Sequence, residues 1–192
     1  MKDLIEIRWH GRGGQGAKTA ALLLADAALA SGKYIQAFPE YGPERMGAPV
    51  ASFNRISSEP IRLHSGVTNP DIVIVLDPTL MDSVDVTEGM PSDGTLLVNI
   101  DKSPAEVKSF FDIASGIKIC TVDASGISTD TIGRDIPNTP MLGALVKATG
   151  ILDFKEMIAD TKKKLEKKFR TKPEVIDGNL KAIERAYNEV KI

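Results

Sequence analysis

Residues Gly11-Arg12-Gly13-Gly14-Gln15-Gly16 have the composition of an anion-binding turn. Gly11, Gly13 and Gly16 fit the spacing G-x-G-x-x-G. That spacing lets a chain leave a strand, turn tightly and enter a helix with its backbone open to a close ligand. The helix would offer unpaired N–H groups and the positive end of its dipole. Arg12 and Lys18 would add charge. The same glycines would also serve simply to pack a helix closely on a strand. A dinucleotide site needs, in addition, an acid at the end of the second strand to hold a ribose. The second strand here, Tyr34 to Phe38, ends before a proline, and Glu40 lies in the loop beyond it. No GK[ST] sequence closes the turn, so a P-loop is not indicated.

A second group sits in the segment Pro39 to Pro49, PEYGPERMGAP, which carries Tyr41, Glu44 and Arg45. Its three prolines and two glycines exclude regular structure. Segments of this kind are commonly functional, and a connector stiffened by proline is the alternative. Asn138 and Thr139 open a helix. Asn138 reads as its cap, or that helix end faces a ligand.

The remaining chemistry-bearing residues are scattered. The two histidines, His10 and His64, show no metal-ligand spacing, so no metal site is expected. His10 reads as a satisfied strand-end histidine. Cys120 is the one cysteine and reads as an inert core thiol. A thiolate zinc site or an iron–sulfur cluster takes several cysteines, so this chain alone supplies neither. Ser65 and Ser125 adjoin glycines but form no nucleophile elbow. Lys162 to Lys168, KKKLEKK, reads as a solvated helix face.

The elements that must position these groups follow from patterning. The 192 residues are 42% hydrophobic and 26% charged, near globular averages, and predict one domain over 1–192. A net charge of −2 does not suit a nucleic-acid binder. The charge is uneven, with 11 Lys and Arg against 8 Asp and Glu from Asp153 onward. No signal peptide or membrane span is read, so a cytoplasmic location is expected. Strands are predicted over Leu4–His10, Tyr34–Phe38, Val50–Ile56, Asp71–Asp77, Thr95–Ile100 and Ile117–Val122. An Ala- and Leu-rich helix runs from Ala17 toward Gly32. Further helices are read over Ser103–Phe111, Asn138–Thr149, Asp153–Phe169 and Pro173–Val190, with a helical turn at Ser128–Arg134. Ile61–Leu63 is expected to pair back on Val50–Ile56 as a β-hairpin. The whole is a three-layer α/β/α fold, a Rossmann-like, mostly parallel sheet with one hairpin and C-terminal helices.

Three stretches together carry a resemblance: GRGGQG, QAFPEYGPERMGAPVASFNRIS from Gln36 to Ser57, and NTPMLGALVKATG from Asn138 to Gly150. In order and spacing, from about Ile5 to Gly150, they resemble the gamma subunit of 2-oxoacid:ferredoxin oxidoreductases, and the pyruvate type most closely. Met46 stands where that family often has arginine. The resemblance implies oxidative decarboxylation of a 2-oxoacid on thiamine diphosphate with Mg, electron transfer through [4Fe–4S] clusters to ferredoxin, and acyl transfer to coenzyme A. It implies that alpha-, beta- and delta-type subunits hold those cofactors. This chain lacks the G-D-G…N signature of a thiamine site, its nearest stretch being Ser92-Asp93-Gly94. It would then be a non-catalytic but necessary subunit. Gly11 to Gly16, Tyr41, Glu44, Arg45, Asn138 and Thr139 would face a subunit interface and shape the coenzyme A channel or hold its phosphates. A stand-alone nicotinamide- or flavin-dependent oxidoreductase and a nucleotide-sensing adaptor are the competing readings.

Overall fold

Strand β1, Leu4–Arg12, alternates its side chains between two different environments, and the sheet is organised around it. The structure, a computed structural model, describes residues 3–40 and 47–192. The chain continues through α1 (Ala17–Ala30), β2 (Tyr34–Glu40), β3 (Pro49–Ser57) and β4 (Ile72–Val75) to a short 3-10 helix, Pro78–Asp82. It then forms β5 (Thr95–Asn99), α2 (Pro104–Phe110), β6 (Lys118–Val122), α3 (Ala124–Ile132), α4 (Asn138–Thr149), α5 (Phe154–Lys168) and α6 (Pro173–Glu189).

The six strands lie in the order β2-β3-β1-β4-β5-β6. From β1 through β4 and β5 to β6 every pairing is parallel. β3 is antiparallel to both β1 and β2. The hairpin therefore differs from the expected one. Residues 61–63 form no strand, and β3 turns back on β2 while lying between β2 and β1. The reason is local. Pro60 has no N–H to give a ladder, and the carbonyls of Leu63 and Gly66 accept from the side chains of Gln36 and Arg55 instead. Several boundaries also move: β1 runs on through Gly11 to Arg12, and β4 keeps only Ile72–Val75 of the expected Asp71–Asp77. β2 runs through Pro39 to Glu40, which an edge strand permits, and β3 begins on Pro49. The expected helical turn at Ser128–Arg134 is the end of a longer helix, α3, opened by Asp123 accepting from the Gly126 N–H at 2.8 Å.

One face of the sheet carries most of the helices. Ile7 and Trp9 point into a core with α1, α3, α4, α5 and α6, where Ala20, Leu24, Met141, Leu142 and Ile183 are fully or almost fully buried. The alanines of α1 let it approach the strands closely. Trp9 donates to Asn54 at 2.8 Å, and Asn54 donates to the Ala21 carbonyl at 2.9 Å, which joins β1, β3 and α1 inside that core. The other face is thinner. Val73, Val75, Leu96 and Val98 pack there with Val107 of α2 and with Val86. At the far edge the Lys191 backbone exchanges two hydrogen bonds with Thr121 and so caps β6.

Candidate functional site

The glycine turn leaves the carboxyl end of β1, the edge at which open α/β sheets place their ligands. Gly16 sits at the N-cap of α1 with φ 82°, in the left-handed region. A side chain at Gly16 would run into the Asn138 side chain, so only glycine brings the starts of α1 and α4 together. Among the described residues no side chain caps α1, whereas Ser103, Asp123 and Asp153 cap α2, α3 and α5. No atom of the described residues lies within 4 Å of where a Cβ on Gly14 would stand. This end of α1 can accept an anion such as a phosphate.

Arg12 does not serve that anion with its charge. Its Nε meets Asp77 Oδ2 at 3.0 Å, Nη2 reaches Thr79 Oγ1 at 2.9 Å, and Nη1 reaches the Gly47 carbonyl at 3.2 Å. Gln15 folds back on the turn. Its Oε1 accepts from the Arg12 N–H at 2.7 Å, and its Nε2 donates to Asp77 Oδ2 at 3.0 Å. The other Asp77 oxygen accepts from the Thr79 N–H and hydroxyl at 3.0 and 2.6 Å. Burial works to raise the Asp77 carboxyl. Hydrogen bonds from Thr79 and Gln15 and the Arg12 charge outweigh it and hold the group below its ordinary value of 3.8.

The turn is also tied to the β2–β3 connection. Gly13 donates to the Ala48 carbonyl at 3.0 Å and accepts from the Gly47 N–H at 3.4 Å. Tyr41, Glu44 and Arg45 lie outside the described residues. Asn138 and Thr139 are buried. Asn138 is not the cap of α4. Pro137 occupies that position, and Asn138 Oδ1 accepts from the Thr139 N–H at 2.7 Å.

His10 belongs to the opposite face of β1 from Trp9. Burial first, then the charge of Arg8, push its imidazole down to about 4, so it is neutral at pH 7. The expected partner for it is missing among the described residues, for its Nε2 is buried without one. Arg8 donates to the carbonyls of Val86 and Glu88 at 2.9 and 2.7 Å. Cys120 is fully buried, and burial raises its thiol. No group of His, Cys, Asp and Glu among the described residues could hold a metal ion. No helix among them is long and apolar enough to cross a membrane.

The sequence pattern did not single out Asp77, Thr79 and Asn99, and Ser125 was read only as a serine beside a glycine; Asn99 and Ser125 link the end of β5 to the start of α3 through bonds of 3.0 and 3.1 Å. The available signal was the acid closing the apolar run DIVIVLD at the carboxyl end of a central strand. Glu40 closes β2 after all. A dinucleotide ribose is still poorly served, because β3 separates β2 from β1 and places that acid one strand spacing, about 4.8 Å, further from the turn.

A family model described as pyruvate ferredoxin/flavodoxin oxidoreductase matches residues 6–189. The chain is 53% identical over 192 residues to the pyruvate synthase subunit PorC of Thermotoga maritima, covering 99% of this chain and 96% of that one. It is 46% identical to the pyruvate/ketoisovalerate oxidoreductases common subunit gamma of Thermococcus kodakarensis, with 98% of each covered. The crystal structure of the Thermotoga maritima pyruvate oxidoreductase subunit PORC (EC 1.2.7.1) superposes with a TM-score of 0.84, at 50% identity, over 99% of this chain and 98% of that one.

Proposed function

We propose, on the premise that this chain belongs to the pyruvate ferredoxin/flavodoxin oxidoreductase family, that it is the gamma subunit of a pyruvate:ferredoxin oxidoreductase, or pyruvate synthase, complex. The observation that carries this is likeness over the whole length to subunits of that name, in sequence and in fold. The complex oxidatively decarboxylates pyruvate, reduces ferredoxin and forms acetyl-CoA. Thiamine diphosphate, Mg and the [4Fe–4S] clusters belong in this reading to alpha-, beta- and delta-type subunits. A single cysteine in this chain supports that division, since such a cluster takes several thiolates. The relative from Thermococcus kodakarensis is named a subunit common to pyruvate and ketoisovalerate oxidoreductases. That supports a choice of 2-oxoacid made outside this subunit.

Within the complex Gly11 to Gly16, with Tyr41, Glu44 and Arg45, face the subunit interface and shape the coenzyme A channel or hold its phosphates. Coenzyme A supplies the thiol that takes the acyl group. This chain supplies the glycine turn and the start of α1, with Asn138 packed against Gly16. Arg12 shapes the turn rather than neutralising the phosphates, because its charge is already met by Asp77.

The test is an anaerobic pull-down of the tagged chain, assayed for dye reduction with pyruvate and coenzyme A. Cluster-bearing partners with pyruvate-dependent activity are expected. A chain that comes down alone and inactive overturns the subunit reading.

A further inference from the structure

The two edges of the sheet are finished differently. At β6 the backbone of Lys191 pairs with Thr121 and covers the edge. At the other end β2 pairs with β3, and among the described residues no strand takes its outer side. A proline in an edge strand keeps its nitrogen on the unpaired side. Pro39 therefore marks which groups of β2 face outward, and by the strand's period of two Ile35 and Ala37 turn their N–H and carbonyl groups the same way. Outside the β2–β3 ladder, no backbone bond among the described residues takes up either N–H. Such a row of groups is a template for another strand.

The helix above this edge carries an apolar stripe that the core does not use. α1 packs on β2 and β3. Leu22 and Leu29, two turns apart on that helix, are 46% and 59% exposed. A second copy satisfies edge and stripe together. Two identical edge strands that pair antiparallel are related by a dyad perpendicular to the sheet, so both copies of α1 lie on one face of it. Strands stand about 4.8 Å apart. A helix seated over β2 and β3 lies about one such spacing from the seam. The two α1 helices then come about 10 Å apart, which is the distance at which helices pack, and the leucine stripe of one faces that of the other. Charge selects the same direction. Lys33 precedes β2 and Glu40 closes it. Antiparallel pairing brings Glu40 of each copy to the Lys33–Tyr34 end of the other, whereas parallel pairing would set Glu40 against Glu40.

We propose that β2 is the docking edge for a second copy of this chain, paired antiparallel about Ala37 into one continuous sheet, with α1 packed on α1 through Leu22 and Leu29. The contact is isologous, so each copy offers and receives the same groups. Ala37 of each copy donates to Ala37 of the other, and Ile35 of each donates to the Pro39 carbonyl of the other, so the N–H that proline lacks is not called on except at one position of each strand. The inference needs only the chain itself and stands apart from the coenzyme A reading.

The test is made on the purified full chain. Sedimentation over low-micromolar concentrations is expected to show a reversible dimer. Leu22→Glu and Leu29→Glu, at positions exposed in the single copy, are expected to weaken it about 10-fold or more with far-UV ellipticity unchanged. Glu40→Lys is expected to weaken it about 3-fold at low salt, and Lys33→Glu added to it to restore the lost affinity. Ala37→Cys is expected to form a disulfide between copies on mild oxidation, because Cα atoms of a hydrogen-bonded antiparallel pair lie about 5.5 Å apart. Phe110→Cys, exposed on α2 beside β6, is expected to stay unlinked, and the buried Cys120 does not compete. A chain that sediments as a monomer at every concentration overturns the proposal. So does a dimer that ignores the leucine and charge variants and leaves Ala37→Cys unlinked, because its contact then lies on another face.

Discussion

His10 shows how far a single residue's surroundings can depart from its type. Free in water it would be half charged at its ordinary value of 6.5, but in the fold that value drops to about 4. The imidazole packs on the β1 face that also bears Arg8, whose charge adds to the cost of burial. Its folded value lies below its unfolded one. The stability it contributes is complete above pH 6.5 and is lost as pH falls from 6.5 toward 4, on the order of 3 kcal/mol in all. Denaturant titrations of the isolated chain across that window should show the loss, and His10→Gln should flatten it. Equal slopes for wild type and variant would mean that the acid sensitivity comes from other groups. Asp77 acts in the same direction but lower, below its ordinary value of 3.8, so the two windows are separable.

At the scale of elements, the contact between α4 and α6 has the narrowest tolerance. A Cβ on Gly143 would run into the Ile183 carbonyl oxygen, and Gly178 of α6 faces the Thr131 carbonyl of α3 in the same way. Backbone cannot swing aside as a long side chain can. Gly143→Ala gains up to about 1 kcal/mol of helix propensity but costs about 1–3 kcal/mol or more through the forced separation. The clash wins, because Gly143 and Ile183 lie on helices locked into one core. Thermal unfolding of the variant is expected several degrees below wild type. A rise in Tm would show that α6 slides freely on α4.

The whole molecule places its strengths unevenly. Five helices lie on one face of the sheet, and their core runs without interruption from α1 through α4 to α6. Because α1 and α6 share that core, the C-terminal helices are expected to unfold together with the β1–α1 unit. Trp9 is fully buried at the sheet and reports on that unit, while far-UV ellipticity reports on all the helices. Coincident transitions by the two probes are expected for the isolated chain. A helical transition that precedes the Trp9 signal would separate the C-terminal helices as a unit of their own.

Local signals were sufficient for much of this protein. The apolar runs of β4, β5 and β6 mark buried parallel strands wherever they occur. Ser103 followed by Pro104 and Glu106 carries its own capping box. The stretches around Gly11, Gln36 and Asn138 are specific enough in combination to point to a family. What the sequence could not show are the facts that depend on distance across the chain. The position of β3 between β1 and β2 depends on backbone ladders that pair Pro49–Ser57 with Leu4–Arg12 on one side and with Tyr34–Glu40 on the other. Arg12 reads alone as a cation for an anion, and only the fold brings Asp77, 65 residues later, to meet its charge. Asn138 reads as a cap until Pro137 takes that place and Gly16 packs against its side chain. Periodicity and turn chemistry are local and survive in one dimension. Charge pairing, close approach and strand order arise from residues far apart in the chain, and they exist only once it has folded.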